Sequence, residues 1–113
     1  WKKSWGGEIG FFSHNKDKFQ PKELKKKILP LFNRAVIFDT TQNSWHGILG
    51  NVNCPKNEYR KSIAIYYLTH PKKGTSTRGK ALFSPTSKQK GDKKILELVK
   101  KRSSTTGAHK VWG

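Results

Sequence analysis

The residues of this 113-residue sequence whose types and spacing best suit chemistry are His46, Arg60 and Ser62. A neutral imidazole is a common ligand of transition metals. A guanidinium binds a carboxylate through two parallel hydrogen bonds, and a hydroxyl two residues along the chain can donate a further one. The combination indicates a site that holds a carboxylate ligand close to a metal ion.

Short apolar stretches predict the strands that must position these residues. Residues 45–49 form the predicted strand that carries His46, just after a turn. Alternation over residues 60–68 predicts the longest strand, in which Arg60 and Ser62 point to the same side. The other predicted strands are residues 6–12, followed by a turn at 14–18, the lysine-rich residues 22–29, and a buried strand at 34–38. Short strands separated by turns are typical of a barrel or sandwich.

Four motifs in this sequence resemble those of the Fe(II)- and 2-oxoglutarate-dependent dioxygenases of the prolyl 4-hydroxylase type. They are WGGEIGFF at 5–12, PLFNRAVIF at 30–38, SWHG at 44–47 and RKSIAIYYLT at 60–69, in the order that the family has. The resemblance implies a mainly β fold, a partial double-stranded β-helix or jelly roll, to which the sequence adds a C-terminal amphipathic helix.

The resemblance also assigns a role to each candidate residue. His46 matches the distal histidine that binds iron, and Arg60 and Ser62 match the pair that holds the far carboxylate of 2-oxoglutarate. Ile9 matches an apolar position that lines the co-substrate pocket. The implied cofactors are Fe(II) and 2-oxoglutarate, with ascorbate as a further cofactor to be tested. The implied reaction is hydroxylation of a prolyl residue in a protein or peptide substrate.

Each of these residues also has a purely structural interpretation. Without the motifs, His46 is a surface histidine, Arg60 pairs with Glu58, and Ser62 and Ile9 are ordinary inward-facing residues. Three further residues near these motifs also have structural interpretations. Asn33 and Arg34, which match the family's FNR signature, are predicted to be structural, and Trp45 either shapes the pocket or packs on the sheet.

One motif of the family is missing. The family's metal site has two histidines and one carboxylate, and the first histidine and the acid come from a His-x-Asp or His-x-Glu motif. No such motif occurs in this sequence. His14 and Asp17 are interpreted as part of a solvated turn. We therefore expect residues 1–113 to be the C-terminal part of a catalytic domain and to be inactive alone. The alternative is a pseudoenzyme of the same fold.

Charge divides the sequence into an oxygenase-like part, residues 1–70, and a basic extension, residues 71–113. The extension has a net charge of +10 and the first part has +7. Asp92 is predicted to cap a helix near residues 92–102. Its apolar stripe consists of Ile95, Leu98, Val99 and Arg102, and we expect it to pack on the barrel. Phe83 is expected to anchor a strand and turn over residues 80–89, and the tail after Ser103 is expected to be loosely ordered.

The net charge of +17 supports a rival interpretation, a basic nucleic-acid-binding module. No recognised nucleic-acid motif is present, and an acidic protein substrate or a general basic bias explains the charge equally well. A metabolite-binding jelly roll without iron also remains open. The lone Cys54 fits a reducing, intracellular compartment, and we expect a cytoplasmic protein. No apolar run reaches the roughly 18 residues of a membrane span.

Overall fold

The computed structural model of the protein describes residues 1–40, 43–67, 69–70, 72–74 and 83–103. The chain divides into two compact units, Trp1–His70 and Pro71–Gly113. The first contains a three-stranded antiparallel sheet, and the second contains the described α-helix. The prediction of a mainly β fold with a C-terminal helix is confirmed, and the sheet is consistent with part of a β-sandwich, whereas the jelly roll stays a prediction.

The sheet consists of β1 (Ile9–Asn15), β2 (Gln20–Ile28) and β3 (Trp45–Ile48), in the order β2-β1-β3. Each of the three corresponds to a strand predicted from the sequence, with ends shifted by up to three residues. A short 3-10 helix, Lys3–Trp5, precedes β1.

The hairpin between β1 and β2 turns later than the sequence predicts. The Asn15 side-chain oxygen accepts hydrogen bonds from the backbone N–H groups of Asp17 and Lys18, at 3.0 and 3.2 Å. This Asx-type turn starts at Asn15, so β1 continues through His14. The interpretation of His14 as a turn residue is therefore wrong.

The strand register sorts the side chains onto two faces. Phe11 lies directly opposite both Lys26 and His46, and Ile9 lies opposite both Ile28 and Ile48. Directly opposed residues in antiparallel strands point to the same side of the sheet. We name the side formed by these six residues the His46 face.

The structure lacks two of the predicted strands, residues 34–38 and 60–68, over their described residues. These two predictions are therefore wrong. Neither pairs with β1, β2 or β3, and residue 68 lies outside the described ranges. The side chains of Ile37 and Ile63 are 95% and 91% exposed. An apolar alternating segment becomes a strand only when a neighbouring backbone satisfies its N–H and C=O groups. The described residues provide no such neighbour.

The buried residues of the described part of the chain include two glycines. Gly7 and Gly10 are buried, whereas no hydrophobic side chain in the described part of the chain is. A Cβ atom on Gly10 would lie 2.6 Å from Cδ2 of Leu49, so a larger residue there would require the Leu49 side chain to move. The described residues thus enclose no apolar core.

The second unit contains α1 (Lys93–Arg102) and a 3-10 helix, Ser87–Gln89. The Asp92 side chain caps α1 by accepting from the N–H groups of Lys94 and Ile95 at 2.9 and 3.3 Å, as predicted. The half-buried residues of α1 are those of the predicted stripe, Ile95, Leu98, Val99 and Arg102.

The segment before α1 differs from the sequence prediction. Residues 83–86 form no strand, and the Arg102 guanidinium lies 5.7 Å from the centre of the Phe83 ring. Residues 80–82 and the tail after Ser103, from 104 onwards, lie outside the described residues. None of the described helices is long and apolar enough to cross a membrane.

Candidate functional site

His46 lies on β3 with its side chain exposed on the His46 face. Its Nδ1 is 2.9 Å from the carbonyl oxygen of Ser44. A carbonyl oxygen can only accept, so Nδ1 is the donor in this contact. Metal-binding histidines usually donate their second N–H in this way, which fixes the ring and its tautomer. The contact is compatible with the predicted role of His46, which stays a prediction.

Two aromatic rings flank the His46 imidazole. Phe38 packs edge-on against it with ring centres 4.7 Å apart, and Phe11 lies 6.3 Å away. Phe38 also packs edge-on against Phe11, at 4.9 Å. The two phenylalanines restrict the rotation of His46 and provide an apolar border on one side of it. The sequence did not indicate this role for Phe38, which follows from its contacts across the sheet.

A second histidine occupies the opposite face. The indole N–H of Trp45 donates to Nδ1 of His14 at 2.9 Å, and the two rings are stacked at an angle of 13°. Phe19 packs edge-on against His14 at 4.9 Å. This contact joins β1 to β3 behind His46, so Trp45 packs on the sheet rather than lining the His46 face. No sequence signal pointed to it, because the two residues are 31 positions apart.

Arg60 is anchored near the start of β1. Its Nε–H donates to the carbonyl oxygen of Gly7 at 2.7 Å, across 53 positions of sequence. Gly7 has φ +72°, and a Cβ there would lie 3.1 Å from Cδ of Arg60 and 3.2 Å from Cγ2 of Val52. The glycine therefore lets the arginine pass close to the backbone. A guanidinium has five N–H donors, and this bond uses one of them.

The other two candidate residues, Ile9 and Ser62, differ in how the structure places them relative to His46 and Arg60. Ile9 opens β1, is half-buried, and shares the His46 face. Ser62 is exposed, and no strand or described hydrogen bond links it to Arg60. The strand β1 thus relates Ile9, His46 and Arg60, whereas the position of Ser62 beside Arg60 depends on the predicted strand, which is not formed over the described residues 60–67. The functional roles of all four residues stay predictions.

The FNR motif has a structural role in this fold. Asn33 adopts a left-handed conformation with φ +57°, which asparagine tolerates better than most residues. The Arg34 side chain donates to the carbonyl oxygen of Leu29 at 3.2 Å. Together they fix the turn that leads into residues 35–38 and hence to Phe38.

A complete metal site is not assembled within the part of the chain that the structure describes. No three His, Cys, Asp or Glu side chains there are grouped so that they could hold a metal ion. A site with two histidines and one carboxylate needs three ligands. His46 fits one of these positions, and its described neighbours do not supply the other two ligands.

The sequence of residues 1–68 matches the 2OG-Fe(II) oxygenase superfamily. The match covers more than half of the chain, including β1, β2, β3, His46 and Arg60. The chain belongs to the 2OG-Fe(II) oxygenase superfamily. Membership implies an oxidoreductase of the dioxygenase class that uses Fe(II) and 2-oxoglutarate. Neither the curated proteins nor the solved structures contain a match to this chain.

Proposed function

We propose that the protein is the C-terminal catalytic part of a 2-oxoglutarate-dependent hydroxylase of the prolyl 4-hydroxylase type. The observation that carries the proposal is the hydrogen bond between Nδ1 of His46 and the Ser44 carbonyl oxygen, within residues that match the superfamily. This bond leaves Nε2 as the nitrogen that we propose to bind the metal. The order of the GGEIGFF, FNR, SWHG and RKS motifs favours the prolyl 4-hydroxylase type.

In this proposal His46 contributes one iron ligand through Nε2. The other histidine and the carboxylate come from outside residues 1–113, because the sequence contains no His-x-Asp or His-x-Glu. When bound, Fe(II) and 2-oxoglutarate supply the activation of O2 that inserts oxygen into an unreactive C–H bond. In this chain Ser44 orients His46, and Arg60 and Ser62 bind the co-substrate.

Arg60 binds the far carboxylate of 2-oxoglutarate through its remaining N–H donors, and Ser62 adds a hydroxyl donor. A hydrogen bond to a charged group contributes about 1.5–3 kcal/mol, so this pairing supplies much of the affinity for the co-substrate. The Gly7 carbonyl holds the guanidinium at the start of β1. Ile9 lies next along β1 and presents apolar surface, which strengthens an ionic pairing by limiting water.

The proposed substrate is a prolyl residue in a protein or peptide, and ascorbate is proposed to support turnover. Both depend on the prolyl 4-hydroxylase resemblance. An intracellular, cytoplasmic location is proposed because the sequence contains a single cysteine, Cys54, whose half-buried thiol donates to the carbonyl oxygen of Glu58 at 3.1 Å.

Mass spectrometry of a proline-containing peptide tests this function. The protein extended upstream through its His-x-Asp segment is incubated with Fe(II), 2-oxoglutarate and the peptide, with and without ascorbate. We expect one added oxygen atom on proline, dependent on both Fe(II) and 2-oxoglutarate. Oxidation of a different residue or of a small molecule would contradict the substrate assignment, and no coupled oxidation of any substrate would contradict the enzymatic assignment.

A pseudoenzyme of the same fold is the second candidate. It is favoured by one specific observation, the lack of a three-ligand group among the described residues. The two candidates differ in metal binding by the upstream-extended protein. A hydroxylase binds Fe(II) tightly through His46, and a pseudoenzyme binds it no better than the His46→Ala variant does.

A further inference from the structure

An open cleft of about 680 Å³ lies between the C-terminal half of β2 and residues 34–37. Its volume lies within the range of roughly 300–1,000 Å³ that is usual for ligand sites. Apart from its charged residues, the lining is aliphatic and includes Ile28, Leu29 and Val36. The cleft therefore offers an apolar floor to a bound chain.

Charged side chains at this cleft are mostly positive. Lys3, Lys26, Lys27 and Arg34 line it, and Glu8 is the acidic residue among its described lining residues. Glu8 forms a salt bridge with Lys27, with 3.9 Å between its carboxylate oxygen and Nζ, and offsets one of the four positive charges. Lys26 and Lys27 are both exposed. The cleft thus favours a ligand that combines negative charge with apolar side chains.

The strand register relates this cleft to the proposed iron ligand. Lys26, Phe11 and His46 lie directly opposite one another on β2, β1 and β3. Neighbouring strands are about 4.8 Å apart, so the backbones at Lys26 and His46 are separated by two such spacings, about 10 Å. A chain bound in the cleft could extend along the His46 face within a few residues.

We propose that this cleft binds an acidic, extended peptide segment of the protein substrate, whose acidic side chains pair with Lys26 and whose apolar side chains contact Ile28. The proposal rests on the proposed hydroxylase function. A peptide is favoured over nucleic acid because no aromatic ring of the described residues lines the cleft, whereas single-stranded nucleic acid is usually bound by stacking.

Fluorescence anisotropy with a labelled peptide of alternating Glu and Leu tests the proposal, without iron or 2-oxoglutarate. Lys26→Glu is expected to raise the Kd of the acidic peptide by about tenfold, because it replaces an attraction by a repulsion. A tenfold change in Kd corresponds to about 1.4 kcal/mol. Lys22→Glu is the matched control. Lys22 is on the same strand, is also exposed, and is not among the described residues that line the cleft, so its reversal should raise the Kd by less than about twofold.

A second variant keeps the charge unchanged. Ala35→Trp fills the cleft from an exposed position and is expected to weaken peptide binding as strongly as Lys26→Glu does. A peptide with Gln in place of Glu should bind more weakly than the acidic one. Circular dichroism confirms that the variants keep the sheet.

Three results would overturn the proposal. Equal weakening by Lys22→Glu and Lys26→Glu would show attraction to overall charge rather than to the cleft. Unchanged binding by Ala35→Trp would place the peptide elsewhere. Displacement of the peptide at lower concentration by an oligo-dT or by anionic phosphatidylserine vesicles would assign the cleft to nucleic acid or to a membrane. The assay measures binding without turnover, so its failure is distinct from failure of the hydroxylase assignment.

Discussion

Replacing Gly7 by alanine tests whether the backbone at the start of β1 positions Arg60. Gly7 has φ +72°, and a Cβ added there would lie 3.1 Å from Cδ of Arg60 and 3.2 Å from Cγ2 of Val52. Both distances are shorter than ordinary van der Waals contact. The methyl group must therefore push the Arg60 side chain away and weaken its 2.7 Å hydrogen bond to the Gly7 carbonyl.

Gly50→Ala provides a matched control for this change. Gly50 also has a left-handed conformation, φ +61°, but a Cβ there would have no atom within 4 Å. Both variants carry the same backbone cost, about 1–2 kcal/mol for an L-residue in that region. Only Gly7→Ala also disturbs the bond to a charged donor, which contributes about 1.5–3 kcal/mol. The difference between the two variants therefore isolates the position of Arg60.

We expect Gly7→Ala to raise the 2-oxoglutarate concentration needed for half-maximal succinate formation by about tenfold, the equivalent of about 1.4 kcal/mol. Gly50→Ala should raise it by less than about twofold. The assay uses the upstream-extended protein at saturating Fe(II), with urea unfolding as a check that both variants remain folded under the assay conditions. An equal effect of the two variants on 2-oxoglutarate dependence would refute the anchoring of Arg60 by Gly7.

Three further predictions concern the elements around the site. Trp45→Phe removes the donor to His14 and should lower the free energy of unfolding by about 1 kcal/mol, and an unchanged free energy of unfolding in this variant would contradict the hydrogen bond. Asp92→Ala should lower the stability of α1 by about 1 kcal/mol, whereas Asp92→Asn should keep it, as measured by helical circular dichroism during heating. The hydrogen bond from Lys25 lowers the pKa of the Glu23 carboxyl, so Lys25→Ala should raise that pKa in an NMR titration, and an unchanged value would contradict the pairing. Because the folded-state pKa is lowered, any stabilisation by this exposed pair is present above the unfolded pKa and is lost as the pH falls through the folded value.

Local signals in the sequence predicted the parts of the fold that depend on local interactions. The cap of α1 at Asp92 forms as expected because it needs only the next three residues. The strand that carries His46 forms because β1 satisfies its backbone. Residues 34–38 and 60–67 have the same apolar character, yet they do not form strands, because a strand also requires a partner backbone.

The candidate site was predictable to the extent that short motifs define it. The SWHG motif located His46, but its tautomer follows from the bond to Ser44, which only the structure gives. The bond from Arg60 to Gly7 and the bond from Trp45 to His14 connect residues 53 and 31 positions apart. Sequence patterns record spacing within one element and carry no information about such distant contacts.

Iron-dependent release of succinate from 2-oxoglutarate tests the central claim most directly. The upstream-extended protein is compared with its His46→Ala variant and with His70→Ala, which changes an exposed histidine outside the sheet. The account predicts that His46→Ala abolishes Fe(II)-dependent succinate formation and that His70→Ala retains it. Residues 1–113 alone should release none. Normal turnover in His46→Ala would contradict the assignment of His46 as an iron ligand.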